Sequence, residues 1–313
     1  MRLMILIVME KIFTNRAFTL NYKSSNYFEK KIITRLKFKN LFKHRHFNQP
    51  FIILPLLTIF LSGCNNSQRL TFYKAQQASL NKEYRTAVSL FENIILREKE
   101  NSLSIKAARE LVKIYLFEIK DYEKAISKLK FLILYSRDEE ERIKSQKQLA
   151  TIYFDNLAEY EKAVVEFSKL LLLSITNDEK IETRLSIARA YYHMGNFEQS
   201  WIESQSLMEI TNIPKDKLYD ILLLQANIKM GRKDHLFASK LYEQLITQFP
   251  TRSAKENIPL NLSLCYEVQE DFMKAISILE PFKKYYHAKE FIDYKISKLK
   301  ERQNNKPKKR IKK

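Results

Sequence analysis

The sequence is poor in glycine: only three occur in 313 residues, at Gly63, Gly195 and Gly231. A phosphate-binding loop needs several glycines close together, so that backbone N–H groups can approach the ligand. Sandwiches and barrels need many turn residues with positive φ, which glycine supplies most readily. The shortage therefore excludes dinucleotide-binding and P-loop folds and argues against all-β folds.

Cysteine and histidine are also scarce, with two and five copies. No His-x-x-x-His spacing or Cys/His cluster suits a metal ion, and no serine lies in a glycine-framed nucleophile elbow. Cys265 lies in an apolar helical stretch and is interpreted as a small core residue. We therefore expect neither a metal site nor an enzyme.

Charged residues make up 29% of the chain and hydrophobic residues 45%, enough apolar surface for a folded core. Abundant Lys, Glu, Leu and Ile with few glycines and prolines predict an all-α fold. The formal net charge of +19 is concentrated at the ends: +9 in residues 1–50 and +8 in residues 298–313, leaving +2 between them. A nucleic-acid-binding body should carry its own basic face, so nucleic acid is an unlikely partner.

The apolar run Phe51–Leu61 follows a basic flank and precedes small residues, which is the layout of an export signal. It is too short for a membrane-spanning helix, which needs about 20 apolar residues. The sequence Leu61-Ser62-Gly63-Cys64 directly after it resembles the lipobox of bacterial lipoproteins. That resemblance implies cleavage before Cys64 and a covalent lipid on its sulfur, and no other cofactor is expected. By the same resemblance, Asn65 after the cysteine favours the outer membrane.

The basic segment before this run, residues 1–50, is long for a signal peptide, and no Met lies between Met9 and Cys64. One hypothesis is that translation starts near Leu41, so that residues 1–40 are not translated. The domain prediction is a signal segment at 1–63, a lipidated linker at 64–70, a solenoid with its cap at 71–302 and a disordered basic tail at 303–313. The alternative for the apolar run is an uncleaved anchor.

Six segments along the chain share one pattern: a large residue, two spacers, a small residue, three spacers and a large residue, with Ser204 in the last place of the fourth segment. They read EYRTAVSLF, DYEKAISKL, EYEKAVVEF, NFEQSWIES, DHLFASKLY and DFMKAISIL. Their small residues, which we expect to pack helices together, are Ala87, Ala125, Ala163, Ser200, Ala238 and Ala275, at spacings of 38, 38, 37, 38 and 37. Such a period is the mark of a repeat architecture.

Each segment is predicted to open a second helix, and upstream first helices carry a small residue three positions before an aromatic, as in Val112 with Tyr115. The pattern resembles the tetratricopeptide repeat over about residues 70–283. That resemblance implies an α-solenoid of about six helix hairpins. Two departures are the period, longer than the family's 34, and Lys229, which stands where an aromatic is usual.

The end of the repeat array carries two proline signals. Pro250 should end one second helix and Pro281 should kink the last one. A further helix at about 287–302, with Phe291, Tyr294, Ile296 and Leu299, is expected to cap the stack.

The first helices of repeats 2 to 4 carry basic residues at helical spacing. The candidate partner groove consists of Lys106, Arg109, Lys113, Lys144, Lys147 and Arg189. Because i, i+3 and i+7 share a helix face, these residues could form a basic groove that binds a carboxylate or an acidic peptide segment. The alternative is an ordinary solvated helix face.

The lipobox, the lengthened repeats and the opening YKAQQASLNKEYRTAV together resemble the BamD-like outer-membrane lipoproteins. The resemblance implies a lipid-anchored scaffold on the periplasmic face of the outer membrane, with envelope or outer-membrane proteins as partners. Six repeats and a lysine-rich tail depart from that family's usual pattern. The alternative is an inner-membrane-tethered or cytoplasmic adaptor whose tail binds RNA or acidic lipid.

Overall fold

A computed structural model describes the backbone of residues 53–286 and 288–305, and the side chains from residue 67 onward within those ranges. The chain divides into two units, residues 1–62 and 63–313, and the second is the one described below. Within the described residues no strand occurs, so the predicted all-α fold is confirmed.

Six helix hairpins follow one another along the chain, and a short helix and a final helix complete the set within the described residues. The hairpins are repeat 1 (α1 Ile53–Leu80, α2 Tyr84–Arg97), repeat 2 (α3 Ser102–Lys113, α4 Tyr122–Tyr135), repeat 3 (α5 Glu139–Thr151, α6 Tyr160–Leu170), repeat 4 (α7 Asn177–His193, α8 Phe197–Met208), repeat 5 (α9 Lys215–Gly231, α10 His235–Gln248) and repeat 6 (α12 Ile258–Val268, α13 Phe272–Leu279). The short α11 spans Pro250–Lys255 and the final α14 spans Lys289–Asn304.

The six small residues of the repeat pattern all lie near the start of a second helix and are completely buried. A small side chain at this position lets the paired helix approach closely, and larger apolar residues fill the space around it. In repeat 4 the Ser200 hydroxyl donates to the carbonyl oxygen of Ala188 on the paired helix, 2.8 Å away. Because this small residue recurs, the two helices of each hairpin pack together at the same position of the second helix.

Every hairpin turn contains one left-handed residue two positions before the second helix. These residues are Lys82, Lys120, Ala158, Gly195, Lys233 and Glu270. The next residue is the N-cap of the second helix. In repeats 2, 4, 5 and 6 its side chain accepts a backbone hydrogen bond, as the Asp121 carboxylate accepts from the backbone N–H of Lys124 at 3.0 Å. Only repeat 4 has glycine at the left-handed position, where other residues are less favourable.

Repeats 2 and 3 end their first helices in π-helical turns, Ile114–Ile119 and Ile152–Asn156. In these repeats ten residues separate the aromatic of the first helix from the small residue of the second, as from Tyr115 to Ala125, whereas repeats 4 to 6 have nine. A π turn absorbs one inserted residue without breaking the helix. The extra residue therefore explains the π turns.

The prolines mark helix boundaries near the end of the array. Helix α10 ends at Gln248 and Pro250 opens α11, while α13 ends at Leu279 and continues as the 3₁₀ turn Glu280–Tyr285 around Pro281. Instead of a kinked helix, the chain forms a tighter helical turn, because proline lacks the N–H that an α-helix interior needs.

The final helix α14 covers the last repeat and confirms the predicted cap. Its buried residues are Ile292, Ile296 and Leu299, which join the apolar cluster of repeats 5 and 6. Phe291 and Tyr294, expected in the cap's apolar set, are 51% and 64% exposed. The helical period places them on the other face, because three- and four-residue steps from Ile292 reach Ile296 and Leu299 instead.

The predicted segments at the two ends are described only in part. Most of the signal segment 1–63 and the hypothetical untranslated stretch 1–40 lie outside the described residues, as do residues 306–313 of the tail. Residues 64–70 were expected to form a linker but have helical backbone continuous with α1, and residues 303 and 304 belong to α14. In the described part of the chain, no helix has the length and apolarity needed to cross a membrane.

Candidate partner-binding face

The six basic residues of the predicted groove all lie on first helices or their continuation, α3, α5 and α7. We call the exposed surface of these helices and of α9 the first-helix face. Lys106, Lys144 and Lys147 are exposed there. Within the described residues, Lys106 and Lys144 form no ion pair. These two lysines occupy equivalent positions in repeats 2 and 3, nine residues before the aromatic.

The other three groove residues are bound to carboxylates of this chain. The Arg109 guanidinium pairs with Glu141 of the next repeat. Lys113 pairs with Glu110 one turn earlier at 3.0 Å. Arg189 pairs with Asp220 of the next repeat at 3.3 Å; its side chain is 38% exposed. These three cations are therefore partly neutralised before any partner arrives.

Further ion pairs join neighbouring repeats along the same face. Lys217 of α9 pairs with Glu182 of α7 at 2.6 Å. Arg252 of α11 pairs with Asp220 of α9 at 2.6 Å, so that Asp220 lies between Arg252 and Arg189. We call the four pairs Arg109–Glu141, Arg189–Asp220, Lys217–Glu182 and Arg252–Asp220 the inter-repeat ladder. The first-helix face is a surface of mixed charge and not a continuous basic groove.

The ladder affects proton binding as expected for hydrogen-bonded ion pairs. The hydrogen bond from Lys217 lowers the pKa of Glu182, and the charges of Lys217, Lys147 and Arg189 lower it further. The hydrogen bond from Glu182 raises the pKa of Lys217. Exposed pairs of this kind contribute up to about 1 kcal/mol each, so their main effect is on the charge that the face presents.

The predicted groove consists of basic residues alone and does not include the acids of the ladder. A signal was available: Arg109 and Glu141 are 32 residues apart, Asp220 and Arg252 also 32, and Glu182 and Lys217 are 35 apart. Separations slightly below the repeat period place an acid and a base on adjacent first helices or, for Arg252, on the short helix α11 just before the next one. Opposite charges at such separations indicate mutual neutralisation.

The described cysteine is a packing residue. The Cys265 thiol is fully buried, and its sulfur lies 3.2 Å from the Met230 Sδ. Burial raises the pKa of this thiol to about 12, so that the nucleophilic thiolate is scarce near neutral pH. Among the described residues, no three His, Cys, Asp or Glu side chains come together as a metal site would require.

The proposed lipidation site is described only at the backbone. Leu61, Ser62, Gly63 and Cys64 belong to α1, and their side chains lie outside the described residues. The position of Cys64 in the fold is nevertheless defined by the helix, because Gln68, one turn later, accepts a hydrogen bond from Asn101 Nδ2 at 3.2 Å.

No protein-family model matches the chain. No curated protein matches it either. Among solved structures, it is similar to the C-terminal part of a tetratricopeptide repeat-containing protein from Cytophaga hutchinsonii, with a TM-score of 0.54 and 16% identity over 79% of this chain and 92% of that one. It is also similar to a tetratricopeptide repeat protein from Parabacteroides merdae, with a TM-score of 0.50 and 16% identity over 76% of this chain and 89% of that one. The fold is therefore an α-solenoid of the tetratricopeptide type.

Proposed function

We propose that the chain is a lipoprotein anchored through Cys64 to the periplasmic face of the outer membrane, where its solenoid is a scaffold for envelope proteins. The lipobox-like sequence Leu61-Ser62-Gly63-Cys64 after an apolar run supports the anchor. The tetratricopeptide-type fold supports the scaffold, because repeat solenoids offer extended surfaces for partners. We further propose that the partners belong to an envelope assembly pathway, such as that of β-barrel proteins.

The observation that carries the scaffold proposal is the exposed surface of the first helices in repeats 2 and 3. Lys106 and Lys144 are exposed there and form no ion pair with an acid among the described residues, and Lys147 is exposed one turn after Lys144. An acidic peptide segment could pair with these lysines without displacing a ladder carboxylate. Each exposed pair contributes little, so binding requires several contacts together.

Palmitate labelling with membrane fractionation tests the anchor. Wild type should take up the label and sediment with outer membranes, and Cys64→Ser should lose both the label and the mature size. Cys265→Ser is the matched control, since Cys265 is the only other cysteine and is buried. A full-length, unlabelled wild type would overturn the anchor and favour the uncleaved, inner-membrane-tethered alternative.

Crosslinking in the envelope tests the partner face. The double change Lys106→Glu with Lys144→Glu should reduce capture of the crosslinked partner and weaken its dependence on salt. Lys130→Glu is the matched control, because Lys130 is an exposed lysine on the second helix of repeat 2. Equal capture by both variants would exclude this face as the partner site.

A further inference from the structure

Three of the most exposed leucines in the described chain recur at one position of the repeat. Leu96, Leu134 and Leu172 are 78%, 71% and 86% exposed. Each lies nine residues after the small buried residue of its repeat, and they are 38 residues apart. We call these three residues the leucine row. The regular spacing distinguishes them from apolar residues scattered singly on a surface, which need no explanation.

The leucine row is confined to repeats 1 to 3. The equivalent positions of repeats 4, 5 and 6 are occupied by Glu209, Thr247 and Lys284, all exposed. At this position of the repeat, leucine is therefore found only in the three repeats closest in the chain to Cys64. A packing requirement common to all repeats would have produced the same residue type in all six.

The leucine row also lies at the edge of the solenoid that is nearest to Cys64 on α1. Leu96 and Leu134 are near the C-terminal ends of α2 and α4, and Leu172 lies two residues after the end of α6. Helices α4 and α6 run antiparallel to α3 and α5, so they end where those helices begin. Helix α2 ends beside the middle of the longer α1, which begins at Ile53. At this edge, the hydrogen bond from Asn101, the residue before α3, to Gln68 of α1 joins these two first helices. Cys64 is four residues before Gln68 on α1, about 6 Å along the helix axis.

We propose that the leucine row is a membrane-contacting surface that inserts into the lipid to which Cys64 is anchored. This inference rests on the proposed lipid anchor. Once the chain is tethered at this edge, the row is held next to the acyl region, and apolar side chains there bury area in the interface. Repeats 4 to 6, with polar residues at the equivalent positions, extend beyond the lipid-contacting part.

The charged residues around the leucine row have both signs, and this bears on whether the lipid contact depends on charge or on apolar burial. Arg97, Lys99 and Arg137 are exposed beside four exposed acids, Glu98, Glu100, Asp138 and Glu139. Attraction to anionic lipid requires an excess of positive charge, and this edge has none. The contact should therefore depend on apolar burial, occur on zwitterionic lipid and change little with salt.

A tethered-vesicle experiment tests the row directly. The purified full chain is coupled through the Cys64 thiol to a maleimide lipid in phosphatidylcholine vesicles, and an environment-sensitive fluorescent amino acid replaces Leu96, Leu134 or Leu172 in turn. Cys265 should not couple, because its thiol is buried and its pKa is raised to about 12. The matched control position is Leu80, which belongs to the same repeat as Leu96 and is 74% exposed at the opposite edge.

The expected result is a blue-shifted emission at the three row positions and several-fold stronger quenching by a lipid-borne nitroxide there than at Leu80. Raising NaCl from 0.1 M to 1 M should leave this quenching unchanged, since the Debye length falls from about 10 Å to 3 Å without affecting apolar burial. Row probes as accessible to aqueous iodide as the Leu80 probe would overturn the proposal.

The same probes in cells separate a membrane from a protein partner. Shielding from iodide without nitroxide quenching would show that a protein covers the row, which also overturns the proposal. Because the vesicle tether is chemical, failure of palmitate labelling would reject the natural anchor without altering the vesicle result. The two failures are thus distinguishable.

Discussion

The Lys229 ammonium lies 4.6 Å from the ring centroid of Phe237, and the two residues occupy each other's usual positions. In repeats 2, 3 and 6 the first helix supplies a tyrosine and the second helix a lysine just before the small residue. The ammonium-to-ring distances there are 5.7, 5.5 and 5.4 Å, for Lys124–Tyr115, Lys162–Tyr153 and Lys274–Tyr266. Repeat 5 makes the same cation–π contact with the partners exchanged.

This exchange explains why repeat 5 tolerates a lysine at the aromatic position of the first helix. The Lys229 ammonium also lies 3.9 Å from the Trp201 ring centroid and 3.9 Å from the Asp234 carboxylate. In repeats 2, 3 and 6 the lysine likewise pairs with the acid at the N-cap position of the second helix, as Lys124 pairs with Asp121 at 3.0 Å. The acid keeps its position in repeat 5, and only the cation and the aromatic ring exchange places.

Restoring the usual placement of the lysine and the aromatic ring in repeat 5 takes two substitutions. Their effects on the free energy of unfolding should therefore be coupled. Lys229→Tyr or Phe237→Lys alone leaves two aromatics or two cations facing each other, and each should lower the free energy of unfolding. The double variant rebuilds the contact and should recover about 1 kcal/mol relative to the sum of the single effects. Urea unfolding of the four chains measures this coupling, and simple additivity would contradict it.

The π turn of repeat 2 predicts that one residue there is dispensable. Deleting Phe117, which is 69% exposed, gives repeat 2 the nine-residue spacing of repeats 4 to 6. We expect an ordinary α-helical end and a change in the unfolding free energy within about 1 kcal/mol.

The matched control is deletion of Met194 in repeat 4, where the spacing is already nine and the loss should be about 2 kcal/mol or more. Equal losses from the two deletions, measured by urea unfolding, would show that the π turn is not an absorbed insertion.

The left-handed turn positions predict opposite effects in repeats 3 and 4. Ala158 has φ of 51°, and Ala158→Gly should stabilise the chain, by up to about 1 kcal/mol, because the left-handed penalty of 1–2 kcal/mol is partly offset by unfolded-state entropy. Gly195 has φ of 74°, and Gly195→Ala should destabilise by a similar amount. Nothing lies within 4 Å of an added Cβ at Gly195, so the effect would be conformational. Thermal unfolding checks the two signs.

Much of the fold could be predicted from the sequence because its signals are local and repeated. The small residues at a 37–38-residue period mark the second helices, and the turn prolines mark helix ends. The π turns could also have been found, since the ten-residue spacing from Tyr115 to Ala125 and from Tyr153 to Ala163 is visible in the sequence. The 38-residue spacing of Leu96, Leu134 and Leu172 was equally available.

The charge of the first-helix face could not be predicted from single helices. Lys106, Arg109 and Lys113 share one face of α3, as the helical period requires. Whether Arg109 is free depends on Glu141 of the next repeat, and so on how adjacent hairpins are rotated against each other. That rotation is set by packing between repeats, which no pattern within α3 reveals.

The inter-repeat ladder predicts a specific response to acid. The Lys217 hydrogen bond lowers the pKa of Glu182 below its usual value of 4.5, so the pair stabilises the folded chain above that value. This stabilisation should be lost as the pH falls through the lowered, folded-state pKa. Because Glu182 is 45% exposed, the contribution at pH 7 should be at most about 1 kcal/mol.

Lys217→Met removes the cation and tests this assignment. Its unfolding free energy should be lower than that of wild type at pH 7, and the two should converge once the pH is below the lowered, folded-state pKa of Glu182, where the carboxyl group is protonated in both states. Lys215→Met, which removes an exposed lysine from the same turn of α9, should follow wild type throughout. If the Lys217→Met difference persisted unchanged as the pH fell through that pKa, the packed lysine stem and not the ion pair would be responsible. The ladder would then fix less of the charge on the first-helix face than its geometry indicates.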